Sequence, residues 1–291
     1  MTKLRPSVFQ RVLHLPDAIK FQESVFALPF AYSGMVLAAE GLPTWQQFLW
    51  ITIAMVSART LGMAANRIID RHIDIENPRT SQRHLPRGLV LPTDMWALTI
   101  ISGLVFFIAA AQLNLLALLL APAAAAYLIF YPFTKRFTWA ANFLLGWALA
   151  IAPSAAWIGV TGNLSWEPIL LSTAVALWAG SFDILYHVQD IDFYRASGLH
   201  SVAERFGIKN AFRVSASLDA GAIVCLMGVG VLLDLPYPYY LGTILAAGVM
   251  AYKYKVLSPN DLSRMGTAFG RTNAIVSTTV FSGTLVSVVA F

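Results

Sequence analysis

Long apolar runs separated by short polar breaks occupy most of the chain. Runs able to cross the roughly 30 Å hydrocarbon core of a bilayer as helices fall at about 24–40, 46–65, 95–112, 115–131, 142–160, 168–187, 214–233, 237–256 and 271–291. The pattern therefore predicts an all-α integral membrane protein with nine transmembrane helices. Only a few residues around Leu113 and Asn114 separate the third span from the fourth, which predicts a tight antiparallel hairpin. Ahead of the first span, Phe9-Gln10-Arg11-Val12-Leu13 reads as part of an amphipathic lead-in at the membrane interface. No short apolar core ends there in a small-residue cleavage site, so no cleavable signal is expected.

Composition narrows the class further. Hydrophobic residues make up 57% of the chain and charged residues 12%, and the mean hydropathy is +0.65. A soluble domain carries about 25% charged residues. So little charge cannot cover a water-exposed surface, which excludes a soluble enzyme, a disordered regulator and a disulfide-stapled secreted domain. The single cysteine, Cys225, has no partner for an intramolecular bridge.

The net charge is +5, and its placement matters more than its sign. Lys3, Arg5, Arg11 and Lys20 precede the first span. Arg59 closes the second, and Arg67, Arg71, Arg79, Arg83 and Arg87 follow it. Lys135 and Arg136 follow the fourth span, and Arg195, Arg205, Lys209 and Arg213 the sixth. Lys253 and Lys255 at the end of the eighth span, Arg264 after it and Arg271 at the start of the ninth complete the set. With nine spans, all 20 Lys and Arg residues fall on one side. The positive-inside rule then predicts a cytoplasmic N-terminus and an external C-terminus. Shifting the helix count by one would scatter this partition. The basic excess is thus topological and makes no case for nucleic acid. Of the 15 acids, only Glu40, Glu167 and Asp234 fall toward the opposite face.

Two cytoplasmic loops, about 66–92 and 183–212, hold seven of the 15 acids between them. In the first, Asn66, Asp70 and Asp74 are spaced four apart, so they stack on one face of a continuing helix. Like charges at that spacing repel unless something positive sits between them. An amide and two carboxylates form a hard-oxygen donor set, which suits Mg²⁺ bridged to a phosphate. In the second loop, Asp183 and His187 share a face with Asp190, and a carboxylate within a membrane span is a functional-site hypothesis by default. His187 is open to two readings, a base for ring deprotonation or a packed histidine. Asp74 and Asp190 lie 116 residues apart in similar contexts, which suggests an internal duplication with the two acidic clusters facing one cavity. Arg79, Arg83, Lys135 and Arg136 are placed to grip phosphate oxygens, although Lys135 and Arg136 also satisfy positive-inside statistics. Duplicated halves would suit a transporter, but these acids sit in loops and the halves share one repeat sense.

These segments resemble the UbiA superfamily of membrane prenyltransferases. Asn66-x₃-Asp70-x₃-Asp74 with Asn77-Pro78-Arg79-Thr80 and Arg83-x-Leu85-Pro86-x-Gly88 looks like its first signature. Asp183-x₂-Tyr186-x₂-Gln189-Asp190, ending in Gly198-x₂-Ser201, looks like its second. Ile19-Lys20-Phe21 with Phe26-Ala27-Leu28-Pro29, Tyr131-x₃-Lys135-Arg136-x-Thr138, and Asp261-Leu262-Ser263-Arg264 with Phe269 and Asn273 extend the likeness over nearly the whole chain. Within the superfamily, the chain is most similar to the 4-hydroxybenzoate polyprenyltransferases and their menaquinone-pathway relatives.

The resemblance implies one domain over residues 1–291, with its helices around a central cavity. It implies Mg²⁺-dependent transfer of a polyprenyl chain from its diphosphate to an aromatic acceptor in quinone biosynthesis. The site would face the cytoplasm, probing a substrate whose tail stays in the bacterial plasma membrane. The expected catalytic residues are Asp70, Asp74, Asp190, Tyr131 and Asp183. Asn66, Arg79, Arg83, Lys135 and Arg136 are expected to bind the diphosphate, and Asn66, Asp70, Asp74, Asp190 and Asp192 the metal. For Asp183 a buried hydrogen-bonding role is the alternative, and for Asp192 a solvated one. The family's second motif usually places a carboxylate four residues after Asp190, where this chain has Tyr194, and Asn142 stands where many relatives have His. This departure motivates a second reading, a catalytically weakened relative serving as a quinone- or lipid-binding subunit of a membrane complex. Partner subunits leave no sequence signal.

Overall fold

The computed structural model describes residues 6–22 and 27–291, without the side chains of residues 267–269. Of the residues singled out above, Lys3, Arg5, Phe26 and the Phe269 side chain lie outside the described residues. Among the described residues, helix is the only regular structure apart from one isolated bridge between Ser258 and Asp261. The first half comprises α1 (Val8–Ala18), α2 (Leu28–Ala39), α3 (Trp45–Ile69), α4 (Arg71–Glu76), α5 (Pro92–Leu113), α6 (Leu115–Phe130) and α7 (Ala141–Thr161). The second comprises α8 (Glu167–His187), α9 (Ile191–Ser197), α10 (Val202–Phe206), α11 (Ile208–Leu232), α12 (Tyr237–Val256), the single turn α13 (Met265–Thr267) and α14 (Asn273–Val289). Tighter 3₁₀ turns at Tyr131–Arg136 and Val188–Asp190 extend α6 and α8.

Every predicted apolar run coincides with a helix, but length and apolarity support fewer crossings. Seven helices among the described residues are long and apolar enough to span a membrane. The two remaining predicted spans are α2, with only 12 residues, and α12, whose tyrosines, Pro238, Lys253 and Lys255 lower its hydropathy. The predicted hairpin is present. Asn114 ends α5 and also caps α6, accepting from the Ala117 amide at 2.8 Å. Its amide donates back to the Ile158 carbonyl of α7 at 2.8 Å.

The outward faces are the apolar ones. On α5, Trp96, Ile100, Leu104 and Ile108 are exposed, while Met95, Thr99, Ser102 and Gly103 are buried. Large side chains thus face lipid and small ones face neighbouring helices, as membrane packing favours. Helices α2, α8, α11, α12 and α14 pack into a solid core around Phe30, Trp178, Leu226 and Tyr239. Helices α3, α5, α6 and α7 instead enclose a cavity, described below.

Two basic residues lie elsewhere than the topology count implied. Lys253 belongs to α12 and is buried, 2.7 Å from Asp219 of α11 and donating to Ser181 of α8 at 3.0 Å. Arg67 is buried in the last turn of α3, where its Nε donates to the Ala18 carbonyl at 2.9 Å and holds the end of α1. A basic side chain near a helix end satisfies the positive-inside pattern whether it reaches water or a buried partner.

The α7–α8 contact depends on Gly146. A Cβ built there would run into the Ala176 carbonyl, which is backbone and has no rotamer to yield. Overpacking of this kind costs typically about 1–3 kcal/mol. Gly146→Val is expected to lower the melting temperature in detergent, measured by fluorescence-detected size exclusion after heating, while Gly248→Val, which meets nothing within 4 Å, leaves it near wild type.

Candidate active site

The first acidic cluster begins where α3 ends. Asp70 caps that helix with φ −92° and ψ 4°, and α4 restarts at the next residue. The hydrogen-bond register survives this break, since the Asp70 amide donates to Asn66 at 2.9 Å and the Asp74 amide to Asp70 at 2.7 Å. Asn66, Asp70 and Asp74 therefore remain in step, with Asp70 and Asp74 only 2% and 4% exposed. Their repulsion is answered by cations from nearby segments. Lys135 pairs with Asp70, as does Arg136 at 3.4 Å. Arg83 Nη1 lies 2.7 Å from both oxygens of Asp74. The Asn66 amide donates to Asp70 at 3.2 Å.

The loop after α4 is wound so that it reaches the second cluster. Asn77 Oδ1 accepts from the Arg79 amide at 2.9 Å, a local turn that asparagine favours, and its Nδ2 donates to Asp190 at 3.1 Å. Thr80 Oγ1 donates to the Asp74 carbonyl at 3.1 Å. Arg79 then clamps Asp190 with two donors, Nε to Oδ1 at 2.8 Å and Nη2 to Oδ2. Its Nη1 donates to the Tyr186 hydroxyl at 2.8 Å, and its guanidinium lies 4.6 Å from the Tyr186 ring centroid. Burial opposes the Arg79 charge, but the hydrogen bond to Asp190 and the nearby Tyr186 and Asp190 outweigh it and raise its pKa above the ordinary guanidinium value.

Asp183 is buried in α8. It accepts from Asn142 Nδ2 of α7 at 2.8 Å, and Asn142 Oδ1 in turn accepts from the Val202 amide of α10 at 3.1 Å. His187 Nδ1 lies 2.9 Å from the Asp183 carbonyl oxygen. Tyr194, 3% exposed, sets its ring edge-on to His187 with centroids 5.4 Å apart. Asp192 is exposed on α9. The structure brings Asn66, Asp70, Asp74, Asp190 and their cations to one end of the bundle, but it does not bring Asp192 into that set.

Two cavities meet at this end. The larger, about 380 Å³, is walled by small-residue faces such as Ala54, Ala58 and Gly62 of α3 and Ala117, Ala121 and Ala124 of α6. The smaller, about 70 Å³, is walled by Asn66, Lys135, Asn142, Asp183, His187 and Tyr194 among others. Tyr131 lines both, so it stands at the boundary between the apolar and polar spaces.

Among the described residues, no three His, Cys, Asp or Glu side chains converge on one metal position. The donors fit a hard cation chemically, being one amide and three buried carboxylates, and each carboxylate is here neutralised by Lys or Arg.

Asn142 and the Asp219–Lys253 pair emerge as structural centres that spacing did not single out. Asn142 stood in the sequence only as a departure from the family pattern. A signal for Asp219 existed, because an acid within an apolar run calls for a buried partner.

A profile of the UbiA prenyltransferase family matches residues 27–277. The 4-hydroxybenzoate octaprenyltransferase of Vibrio cholerae serotype O1 is 30% identical over 254 residues, which is 87% of this chain and 89% of that protein. Its counterpart in Aliivibrio salmonicida is 30% identical over 243 residues, 83% of this chain and 84% of that protein. Among solved structures, the apo UbiA homolog from Aeropyrum pernix K1 superposes with a TM-score of 0.84 at 31% identity, covering 91% of this chain and 98% of that one. A UbiA homolog from Archaeoglobus fulgidus bound to GPP and Mg²⁺ superposes at 0.66 with 19% identity, covering 93% and 99%. At that identity the likeness is one of fold.

The Arg79–Asp190 clamp carries a stability prediction. Removing one partner of a buried pair costs about 3–5 kcal/mol because a bare charge is left behind; this is an upper bound here, since Arg79 is 26% exposed. Arg79→Gln is expected to lower the melting temperature markedly, and adding Asp190→Asn to recover much of the loss. If the double variant melts no higher than the single one, the pairing is not what Asp190 depends on.

Proposed function

The chain belongs to the UbiA prenyltransferase family and is a prenyltransferase, and from that premise we propose its substrates and chemistry. It moves a polyprenyl group from its diphosphate to an aromatic acceptor of the 4-hydroxybenzoate type, in quinone biosynthesis and with Mg²⁺. The observation that carries this reading is the meeting at Tyr131 of an apolar cavity of about 380 Å³ with a polar, ion-paired pocket. A molecule with an isoprenoid tail and a multiply charged diphosphate head matches both halves. Relatives at about 30% identity named 4-hydroxybenzoate octaprenyltransferase support the acceptor class, with naphthoates and other phenolic rings as neighbouring possibilities.

In this scheme the tail lies along the alanine-lined faces of α3 and α6 and extends toward lipid. Arg79, Arg83, Lys135 and Arg136 exchange their carboxylate partners for diphosphate oxygens, with the arginines suited to bidentate contact. Asn66, Asp70, Asp74 and Asp190 would hold Mg²⁺, whose charge supplies electrostatic stabilisation of the leaving diphosphate. Breaking the bond between C1 and the bridging oxygen leaves an allylic cation beside Tyr131, where an aromatic face stabilises positive charge. The apolar walls exclude water that would otherwise capture that cation. The acceptor ring approaches from the polar pocket and forms the new carbon–carbon bond. We further read α2 and α12 as two additional spans. That gives nine in a single domain, with the N-terminus and the site on the cytoplasmic face of the plasma membrane.

Tyr194 favours a second reading, a quinone- or lipid-binding subunit with weakened catalysis. Its buried ring stands where the family pattern has an acid.

Turnover separates the two readings. Purified wild type given a polyprenyl diphosphate, 4-hydroxybenzoate and Mg²⁺ is expected to form the prenylated acid. EDTA is expected to stop product formation and excess Mg²⁺ to restore it. Asp70→Ala is expected to abolish product while eluting as a monodisperse folded species. Retained activity in Asp70→Ala removes this cluster from the site, and an inactive wild type favours the binding-subunit reading.

A further inference from the structure

We infer, on the prenyl-transfer reading above, that His187 is the base that takes the ring proton from the acceptor, positioned by Asp183 and Asn142. His187 walls the polar pocket beside Tyr131 and Lys135, on the side from which an acceptor ring would meet the tail. Its orientation is set by what surrounds Nδ1. That nitrogen lies 2.9 Å from the Asp183 carbonyl oxygen and 3.3 Å from its carboxylate. Two of the three groups around Nδ1 are acceptors, and the third, Asn142 Nδ2, already has the Asp183 carboxylate as an acceptor at 2.8 Å. This arrangement places the hydrogen on Nδ1 and leaves Nε2 its lone pair. Asn142 holds this arrangement from α7. Its Nδ2 donates to Asp183 at 2.8 Å and sits 3.2 Å from Nδ1, while its own oxygen is fixed by the Val202 amide. Tyr194 packs edge-on against the imidazole. Among the described residues, Nε2 makes no recorded hydrogen bond, and 19% of the side chain remains accessible.

The other carboxylates, lysine and histidine around the pocket are already engaged. Lys135 is a cation paired with Asp70. Asp183 is taken up by Asn142 and His187. His200 is 42% exposed and faces Glu204 at 3.6 Å. Asp190, three residues along the chain from His187, is clamped by Arg79. A base oriented by a third group through its far nitrogen is a recurrent catalytic arrangement.

The step balances. The C1–oxygen bond breaks with its electron pair leaving on diphosphate. A ring carbon ortho to the phenolic oxygen then bonds to C1. The proton on that carbon passes to Nε2, and its bonding pair restores the aromatic ring. The resulting imidazolium lies against the Asp183 carboxylate, which offsets its charge.

The test compares wild type and His187→Gln with geranyl diphosphate, 4-hydroxybenzoate and Mg²⁺, using ring-protonated and ring-deuterated acceptor. A positioned base contributes typically about 10²–10⁴-fold, so kcat is expected to fall within that range with little change in acceptor KM. A neutral base is needed, so wild-type kcat is expected to decline as pH falls through the histidine range, and this limb to vanish in His187→Gln. Deuteration is expected to slow the variant more than the wild type, because loss of the ring proton has become limiting. Added imidazole is expected to restore part of the rate in His187→Ala. Wild-type kcat with an unchanged pH limb in His187→Gln overturns the inference. So does a lowered kcat with the limb retained and no added isotope effect, since that marks a packing role. Absence of product from wild type overturns the prenyl-transfer reading itself, a result distinct from either.

Discussion

Asp70, Asp74 and Asp190 are buried at helix ends beside apolar helices, where an ionised carboxylate is tolerable only with a countercharge in contact. Each finds one, and the partners decide how the chain closes over the bundle. Lys135 and Arg136 tie the end of α3 to the turn after α6. Arg83 folds the loop after α4 back onto Asp74. Arg79 carries that loop across to Asp190 at the end of α8 and stacks on Tyr186. The acidic clusters from the two halves of the sequence are therefore joined by direct contact. The cations that neutralise them are of the kind that grips diphosphate, so one set of charges can serve both the resting fold and the anionic head of a substrate.

Beneath this ionic layer the helices hold space because of where their side chains point. Bulky residues of α5 face outward, and the inward faces of α3 and α6 carry Ala and Gly at helical spacing. Close backbone approaches at Gly34 against Pro153 and Gly146 against Ala176 hold α7 to α2 and to α8. The other side of the bundle is filled by Phe30, Trp178 and Tyr239. The cavity is thus confined to one flank and shares Tyr131 with the polar pocket.

Much of this was legible from local pattern. Hydropathy located the nine apolar helices but not the short α9, α10 and α13, and the four-residue spacing of Asn66, Asp70 and Asp74 survives a break in the helix because the hydrogen-bond register does. Pairings across the chain were not legible. Arg79 meets Asp190 over a separation of 111 residues and Lys135 meets Asp70 over 65, and only tertiary packing decides such contacts. Asp190 and Asp192 are the same residue type two positions apart, yet the turn that follows α8 buries Asp190 and the start of α9 exposes Asp192. Lys253 was read as topology because a count of basic residues does not register a buried partner such as Asp219. The crossing number hinges on α2 and α12, where length and hydropathy fall short while helical structure does not.

The most direct test is a structure of the protein with an unreactive prenyl thiodiphosphate and Mg²⁺. Carboxylate–cation pairs that double as the diphosphate site require the headgroup to lie between Asp70, Asp74 and Asp190, with Arg79, Arg83 and Lys135 on its oxygens and the tail running past Tyr131 into the apolar cavity. A headgroup bound elsewhere, with the Arg79–Asp190 and Lys135–Asp70 pairs intact, would contradict it.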